Sequence, residues 1–330
     1  MLPARNGRKS FEGLKVMTER MPIIVLGGSD RKPVSLPERG RDEHPLSGYK
    51  GADIRIHGRP LVLELIRRLA AAGCFGPIYL AGPRAAYGAL RSDAELIPTD
   101  GGFGDNIRVS MEAVRLRHPG THVAFITCDV LPKPESLALL VAEWRRSLPL
   151  DMWFPLVRAP ERREKLGASA WKPAYRIAES EGGEPVAVLP GHLVVVDPDA
   201  MRLPFIYRLF DLGYRTRNRP IDQRRPVMVR GVLFELLFQD LLHLFSLRAP
   251  SLTWGVLSAG LPAGRALRDG KASRQTLERA VRRMFVKSRH RRRYPNRRIL
   301  LPVVDDLALA LDIDTEEEAR AAGGEMQSTA

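Results

Sequence analysis

A short apolar segment that ends in two glycines constrains the fold most strongly. Residues 21–26 read Met-Pro-Ile-Ile-Val-Leu, carry no charge, and are followed by Gly27 and Gly28. An uncharged, β-branched run of this length is typical of a strand that is buried on both faces of a parallel sheet. The segment therefore predicts an α/β protein.

The residues that follow predict a binding edge. Residues 29–49 are polar and rich in Pro and Gly, Lys50 comes next, and residues 61–72 have the apolar spacing of a helix with Pro60 at its start. A strand, a glycine loop and a helix bring backbone N–H groups and one ammonium group to the carboxyl edge of a sheet, where α/β folds bind ligands. We expect an anionic ligand there, most simply a nucleotide phosphate. An ordinary connection with an incidental lysine is the alternative, because a glycine pair is a weak signal.

Strand and helix patterns alternate through the first half of the chain. Strands are predicted at residues 76–81, 95–98 and 121–128, between helices at residues 85–90, 106–117 and 131–146. This alternation indicates parallel strands joined by crossover helices. A Gly-rich turn precedes the second of these helices, and Asp105 or Asn106 is expected to be its N-cap.

Asp129 follows the strand predicted at residues 121–128 and is the strongest single candidate for a functional residue. Many α/β phosphotransfer enzymes present a Mg²⁺ ligand in this way, because Mg²⁺ takes oxygen ligands and keeps phosphate and water in its shell. Aspartate is also a common turn former at strand ends. The glycine loop upstream favours the functional interpretation.

Composition narrows the classes of function. The 330 residues are 44% hydrophobic and 27% charged, which is ordinary for a globular protein with one large domain or two smaller ones. Cys74 and Cys128 match neither a disulfide framework nor a zinc site, so a cytoplasmic location is expected. The chain has no apolar run of transmembrane length and no apolar signal core, so neither a membrane span nor secretion is expected.

The charge is strongly basic, with 52 Lys and Arg against 38 Asp and Glu and a net charge of +14. Such a surface can bind nucleic acid, acidic lipid or polyphosphate. The arginines are spread along the chain, which favours a generally arginine-rich composition over a dedicated binding surface. The exception is one dense cluster at residues 287–298. That cluster can bind nucleic acid, or it can be a plain basic loop before a last strand at residues 299–304. No zinc-finger spacing or aromatic RNA-binding motif supports nucleic acid elsewhere, so it is not expected as a partner.

Four segments resemble one known family. They are Leu26-Gly-Gly28, Lys50 before Ile-Arg-Ile-His-Gly-Arg-Pro at residues 54–60, Phe-Ile-Thr-Cys-Asp at residues 125–129, and Asp-Ile-Asp-Thr-Glu-Glu-Glu at residues 312–318. In this order they resemble the nucleotidyltransferases of GT-A type, the group that includes molybdenum cofactor guanylyltransferase and related sugar-phosphate and alditol-phosphate nucleotidyltransferases. The resemblance covers residues 21–150 and returns at the last segment.

The resemblance implies that an acceptor phosphate attacks the α-phosphorus of an NTP and that pyrophosphate leaves. Such a step needs charge neutralisation and in-line positioning more than it needs a nucleophile from the protein. By position, Lys50 and Asp129 would be catalytic, and Asp129 and Asp314 would hold Mg²⁺. Asp312 either joins Asp314 as a metal ligand or caps the helix that begins near Thr315. The nucleotide-binding residues implied in this way are Leu26, Gly27, Gly28, Lys50 and Asn106.

The loop after the glycine pair departs from the family. Here 21 residues separate Gly28 from Lys50, and the usual Gly-x-Arg-Met core is missing. Arg31 or Lys32 is a hypothetical replacement for the arginine of that core. A bacterial branch of the family has a loop of this length.

The middle of the chain is expected to form the acceptor side. Residues 151–157, 170–177 and 186–196 are predicted as strands of a mixed sheet edge. Lys172, His192 and Arg225 match by position polar or basic residues of the same bacterial branch, so the resemblance implies that they bind the acceptor. Lys172 is equally a solvated strand residue and His192 equally a turn residue, whereas a basic pair such as Arg224–Arg225 is more often simply solvated. A helix predicted at residues 229–247 carries a broad leucine stripe, which belongs to the core or to a partner surface, more often to the core.

The patterns predict an α/β fold with a mostly parallel sheet flanked by helices, a mixed edge and a helical insertion at residues 200–295, and the resemblance implies that this fold is GT-A, Rossmann-like. Residues 1–20 are expected to be a mobile arm, residues 21–322 the nucleotidyltransferase-like domain, and residues 323–330 a disordered tail. The expected function is Mg²⁺-dependent transfer of NMP from an NTP to a phosphorylated small molecule. The alternatives are a catalytically degenerate nucleotide-binding relative, a nucleotide-sugar glycosyltransferase and, least, a basic nucleic-acid-binding protein.

Overall fold

The structure is a computed structural model that describes residues 20–28, 49–172, 174–215, 221–245 and 252–324. In chain order its strands are β1 (Met21–Leu26), β2 (Arg55–Ile56), β3 (Arg59–Pro60), β4 (Phe75–Gly82), β5 (Glu95–Pro98), β6 (Val123–Thr127), β7 (Leu150–Trp153), β8 (Leu156–Arg158), β9 (Tyr175–Ala178), β10 (Pro185–Pro190), β11 (Leu193–Val196), β12 (Ala272–Ser273), β13 (Arg298–Leu300) and β14 (Val303–Val304). Its helices are α1 (Lys50–Asp53), α2 (Leu61–Ala71), α3 (Arg84–Tyr87), α4 (Phe103–Arg117), α5 (Pro134–Ser147), α6 (Leu203–Arg215), α7 (Ile221–Phe245), α8 (Leu252–Arg268), α9 (Arg274–Phe285), α10 (Ser288–Arg293) and α11 (Glu316–Gly324). Short 3₁₀ helices lie at Arg163–Trp171 and Leu307–Leu309.

A seven-stranded sheet in the order β13-β7-β11-β6-β1-β4-β5 forms the centre of the molecule. Strand β1 pairs in parallel with both β4 and β6, and β5 continues the parallel side. Strand β11 runs antiparallel to β6 and β7, which makes the other side mixed. The predicted fold class, a mostly parallel sheet with flanking helices and a mixed edge, is confirmed.

Strand β1 shows why helices cover both faces of this sheet. Its residues alternate between two apolar clusters: Ile23 and Val25 belong to one, and Ile24 and Leu26 belong to the other. The first three of these side chains are fully buried and Leu26 is 9% exposed. Successive side chains of a strand point to opposite faces, so an uninterrupted apolar run requires a packed layer on each side.

Three segments that the sequence predicts as single strands break at prolines and cross from one sheet to another. Pro155 separates β7 from β8, Pro190 ends β10 before Gly191 and β11, and Pro302 separates β13 from β14. Strands β8, β10 and β14 belong to a second, five-stranded sheet in the order β12-β9-β10-β8-β14. The single-strand predictions for residues 151–157, 186–196 and 299–304 were therefore wrong, because proline donates no ladder hydrogen bond at the bend. The strand predicted at residues 170–177 is limited to β9 and follows a 3₁₀ helix.

Helix α4 begins three residues earlier than predicted, at Phe103, with Gly102 as its N-cap. Close packing on α6 explains this start: a Cβ on Gly104 would lie 2.2 Å from the backbone oxygen of Tyr207. The Asp211 side chain of α6 also accepts a hydrogen bond from Gly104 N at 3.0 Å. The prediction that Asp105 or Asn106 caps this helix was wrong.

The leucine stripe of α7 is mostly not core. Leu236 is fully buried, whereas four neighbouring leucines are 36–57% exposed: Leu233, Leu237, Leu241 and Leu244. The core interpretation of this stripe was therefore wrong for all but its Leu236 side, which packs against α6 and α8. None of the described helices is both long and apolar enough to cross a membrane.

The basic segment at residues 287–298 is attached to the sheet by a buried aspartate and includes helix α10, so the prediction of a plain loop was wrong. Asp151 has no solvent exposure and forms ion pairs with Arg282 Nε at 2.8 Å and Arg297 Nε at 3.1 Å, and His290 Nε2 lies 3.2 Å from its carboxylate. Part of this basic cluster therefore neutralises a buried carboxylate.

Candidate functional site

The carboxyl ends of the parallel strands β1, β4 and β6 meet at one edge of the large sheet. Gly27 and Gly28 follow β1, Gly82 ends β4, and Asp129 follows β6. Backbone hydrogen bonds continue the ladder beyond the strands, from Gly27 N to Ala81 O at 2.8 Å and from Cys128 N to Leu26 O at 3.1 Å. This edge is where ligands bind in open α/β sheets.

Tyr87 forms the floor beneath this edge. Its buried ring occupies the space left by three glycines: a Cβ would lie 2.6 Å from the ring at Gly82, 2.7 Å at Gly27, and 3.0 Å from Oη at Gly51. The Tyr87 hydroxyl donates a hydrogen bond to Gly27 O, and burial raises the pKa of this hydroxyl. Gly27 is thus required for close packing, whereas Gly28 has a φ of +76°, a backbone conformation that favours glycine.

Lys50, the first residue of the single-turn helix α1, forms the positive part of the site. Its Nζ donates to Asp314 and lies 3.7 Å from Asp129 Oδ2. Burial alone would lower the pKa of Lys50, but the carboxylates of Asp129 and Asp314 outweigh it and raise the pKa above its ordinary value. Lys50 therefore carries its charge at any physiological pH.

A C-terminal segment brings two carboxylates to the end of β6. Ile313 is buried and its amide donates to Asp129 O at 2.8 Å. Side chains alternate along extended backbone, so Asp312 and Asp314 both lie on the side opposite Ile313, towards the site.

The same segment shows what caps α11. Thr315 Oγ1 accepts from Glu318 N, and Glu318 Oε2 accepts from Thr315 N, each at 3.2 Å. This reciprocal pair is a capping box. The alternative in which Asp312 caps the helix is therefore wrong. The Asp312 carboxylate is not used by the cap and belongs to the site.

A second polar group lies beside the first and involves Lys172, His192 and Asp312. Lys172 Nζ donates to Asp312 Oδ1 at 2.8 Å and to Ala310 O at 2.7 Å. His192 Nε2 lies 3.0 Å from the same carboxylate oxygen, and its Nδ1 lies 2.7 Å from Thr127 Oγ1. Burial alone would raise the pKa of Asp312, but the hydrogen bond and charge of His192, together with Lys172, lower it.

Asp129 connects the two groups and fits a cation. Its Oδ1 is buried and accepts no hydrogen bond from any described residue, and it lies 4.0 Å from His192 Nδ1. One donor atom each from Asp129, His192 and Asp312 lie within 4.8 Å of one another. The two carboxylates fit the oxygen preference of Mg²⁺, whereas the imidazole is a ligand more typical of transition metals.

The structure brings most of the predicted site residues to this one edge. Around Asp129 lie Leu26, Gly27, Gly28, Lys50, Asp312, Asp314, Lys172 and His192. The metal role of Asp314 stays a prediction, because its carboxylate pairs with Lys50 and is not part of the three-residue donor set.

Asn106 lies apart from this cluster, after β5, where its Oδ1 accepts from Gly101 N at 3.1 Å. It orders the turn that enters α4, and its nucleotide role stays a prediction. The side chain of Arg225 lies outside the described residues, as do Arg31 and Lys32.

The structure adds residues that the sequence did not single out. Thr127 orients His192, and Thr99, after β5, has a buried hydroxyl with no hydrogen-bond partner among the described residues. Thr127 is the last residue of β6 and Thr99 follows β5. A search for polar residues at the ends of apolar strands, the signal that identified Asp129, would therefore have found both. Tyr87 gave no such signal, because its role is defined by packing against Gly27, Gly51 and Gly82, two of which are far from it in the sequence.

Comparison with known proteins supports the fold. No protein-family model matches the chain, and no curated protein matches it either. A solved hypothetical transferase from Thermus thermophilus is similar over 91% of this chain and 100% of its own, with 19% sequence identity and a TM-score of 0.52. At this identity the likeness shows that the two chains share a common fold.

Two further solved structures are more distantly similar. A CMP:2-keto-3-deoxy-manno-octonic acid synthetase complexed with CTP shares 11% identity at a TM-score of 0.47, covering 94% of this chain and 99% of its own. A 4-diphosphocytidyl-2C-methyl-D-erythritol synthase from Anaerococcus prevotii shares 8% sequence identity at a TM-score of 0.41, covering 94% of this chain and 99% of its own. These two likenesses are too weak to carry an argument.

Proposed function

We propose that this chain is a Mg²⁺-dependent nucleotidyltransferase that transfers NMP from an NTP to a phosphorylated small molecule and releases pyrophosphate. One observation carries the proposal. Lys50, Asp129 and the Asp312–Asp314 segment, which are far apart in sequence, meet at the carboxyl edge of a parallel sheet beside a glycine turn. Such an edge with a glycine turn and a lysine suits a triphosphate.

The proposed reaction forms one bond and breaks one bond. An oxygen of the acceptor phosphate attacks the α-phosphorus of the NTP, and the bond between that phosphorus and the oxygen bridging to the β-phosphate breaks. Pyrophosphate carries away the electron pair of the broken bond. The product contains a new diphosphate linkage, so no oxidant, reductant or covalent enzyme intermediate is required.

Lys50 would neutralise the charge that develops on the phosphates. Its ammonium group is held by Asp129 and Asp314, and their charges keep its pKa raised, so it remains a fixed cation while the leaving group gains charge. Gly28 lies at the same edge with open space where a Cβ would be, so its backbone can approach a phosphate closely, whereas the Gly27 amide is used in the sheet ladder. A charge held in position before the reaction stabilises a transition state without reorganisation.

The carboxylates would hold the cation. Asp129 contributes an oxygen that has no partner among the described residues, and Asp312, His192 and Asp314 are the neighbouring donors. When bound, Mg²⁺ would supply positive charge to the triphosphate. Lys172 and His192 both contact Asp312, and we place the acceptor phosphate near them.

The test measures pyrophosphate release from each of ATP, CTP, GTP and UTP with Mg²⁺ and a panel of sugar and alditol phosphates. We expect release with at least one pair, and a loss of about 10²–10³-fold in kcat for Asp129→Asn. Asp305→Asn is the matched control, because Asp305 is an aspartate whose side chain is 81% exposed in the ion pair with Arg158.

The same assay separates the alternatives. A catalytically degenerate relative would bind an NTP and release no pyrophosphate with any acceptor. A nucleotide-sugar glycosyltransferase would release a nucleotide from a nucleotide-sugar donor and no pyrophosphate from an NTP. Either result would contradict the proposed reaction.

A further inference from the structure

The possible metal ligands at the sheet edge include a nitrogen. Donor atoms of Asp129, His192 and Asp312 lie within 4.8 Å of one another, and no other group of three acidic, histidine or cysteine side chains is as close in the described part of the chain. Mg²⁺ takes oxygen ligands, whereas an imidazole nitrogen is a ligand typical of divalent transition metals. The histidine therefore bears on which cation this edge prefers.

One ring nitrogen of His192 faces Asp129. Nδ1 lies 4.0 Å from Asp129 Oδ1, and this oxygen is buried and accepts no hydrogen bond from any described residue. Metal–ligand distances to nitrogen and carboxylate oxygen are about 2.0–2.2 Å, so one cation can contact two atoms at this separation. Thr127 Oγ1 lies 2.7 Å from Nδ1, and a bound cation would take the place of this contact.

The other ring nitrogen is held by Asp312. His192 Nε2 lies 3.0 Å from Asp312 Oδ1, and a carboxylate only accepts, which favours the tautomer with its proton on Nε2 and its lone pair on Nδ1. Lys172 Nζ lies 3.1 Å from Nε2 and donates to Asp312 Oδ1 and Ala310 O. Histidines that bind metals commonly donate their second N–H to a carboxylate in this way. His192 therefore has the orientation of a metal ligand.

The charges at this edge favour a cation. The carboxylates of Asp129, Asp312 and Asp314 face two ammonium groups, those of Lys50 and Lys172. Lys172 pairs with Asp312 and Lys50 pairs with Asp314, whereas Asp129 reaches Lys50 only through Oδ2 at 3.7 Å. The excess negative charge thus lies on the residue whose Oδ1 has no partner among the described residues.

We propose that His192 is a direct ligand of the metal and makes this edge selective for Mn²⁺ over Mg²⁺. Mn²⁺ accepts carboxylate and phosphate oxygens as Mg²⁺ does, and as a transition metal it gains more from an imidazole nitrogen. Asp129 would supply an oxygen ligand, and Asp312 would orient the imidazole. The inference rests on the proposed function and refines the identity of its cation, because Mg²⁺ would bind the same residues less tightly.

The experiment titrates the full chain with Mn²⁺, alone and with an NTP, and measures free Mn²⁺ by electron paramagnetic resonance. Displacement of bound Mn²⁺ by Mg²⁺ then gives the ratio of the two dissociation constants. His192→Asn should weaken Mn²⁺ binding at least ~tenfold, since loss of even an outer-shell partner costs about 10–100-fold. Mg²⁺ binding should change much less, because the amide of asparagine offers an oxygen ligand, so the preference for Mn²⁺ should fall.

Pulsed electron paramagnetic resonance of bound Mn²⁺ gives a second readout. A directly coordinated imidazole nitrogen modulates the electron spin echo of Mn²⁺, and we expect this modulation in the wild type and its loss in His192→Asn. His57→Asn is the matched control, because it makes the same change at an exposed histidine whose φ of +49° suits asparagine. The control should retain both the affinity and the modulation.

Three outcomes would overturn the inference: no Mn²⁺ binding, wild-type Mn²⁺ bound without nitrogen modulation, or equal losses of Mn²⁺ and Mg²⁺ affinity in His192→Asn. Pyrophosphate release, measured on the same proteins, reports separately on the proposed reaction. Release from a wild type that lacks the modulation would reject this inference alone. Nitrogen modulation without release from any NTP would support this inference and reject the proposed reaction.

Discussion

Replacing Asp151 with alanine tests whether the basic segment at residues 287–298 stabilises the fold by neutralising a buried carboxylate. The carboxylate has no solvent exposure, and its partners Arg282 and Arg297 are each only 18% exposed. Removing one partner from a buried ion pair costs about 3–5 kcal/mol, because the other charge is left uncompensated. Arg297 also pairs with Asp197 at 2.6 Å, which keeps the expected loss near the lower end, about 3 kcal/mol.

The measurement is the free energy of unfolding in urea, followed by circular dichroism and tryptophan fluorescence. Asp305→Ala is the control, because it removes an aspartate from an Arg158 pair whose aspartate side chain is 81% exposed. An exposed pair contributes about 0–1 kcal/mol, so the control should change little. Equal losses for the two variants would refute the reasoning and would leave residues 287–298 available as a nucleic-acid surface.

Three further predictions concern a packing contact, the burial of the cysteines and a helix cap. Gly82→Ala should lower the free energy of unfolding by about 1–3 kcal/mol, because its Cβ would lie 2.6 Å from the Tyr87 ring. An unchanged free energy of unfolding would contradict this packing. Cys74 and Cys128 are buried, and burial raises the pKa of the Cys74 thiol to about 11. Neither cysteine should therefore react with Ellman's reagent at pH 8 until the chain is unfolded. Rapid reaction of the folded chain would contradict this burial. Thr315→Ala should cost about 1 kcal/mol of stability through loss of the capping box, and a cost no larger than that of an exposed loop threonine would argue against it.

The central strands and the site could be predicted because they depend on local pattern. An uncharged run such as Met21–Leu26 can only be buried on two faces, and because β1 and β6 are parallel, Gly27 and Asp129, which follow them, must lie at one edge. The resemblance supplied Lys50 and the Asp312–Asp314 segment, which the fold then placed together.

The errors have physical causes that local pattern does not contain. Apolar runs continue across Pro155 and Pro190, so the sequence shows one strand where the backbone bends into another sheet. The start of α4 depends on its contact with Tyr207, more than a hundred residues away. An apolar helix stripe has the same spacing whether a neighbour covers it or not, so the exposure of α7 could not be read from the sequence.

The most direct test of the proposed NTP site is thermal stability of the wild type and Lys50→Ala with each of ATP, CTP, GTP and UTP, with and without Mg²⁺. A ligand at a hundred times its Kd adds about 2.7 kcal/mol, which a melting curve resolves readily. Arg55→Ala is the control, because Arg55 is an exposed cation outside the cluster. The account predicts that at least one NTP stabilises the wild type and the control, and that Lys50→Ala loses most of this gain. Equal stabilisation of all three proteins, or of none, would contradict an NTP site at this edge.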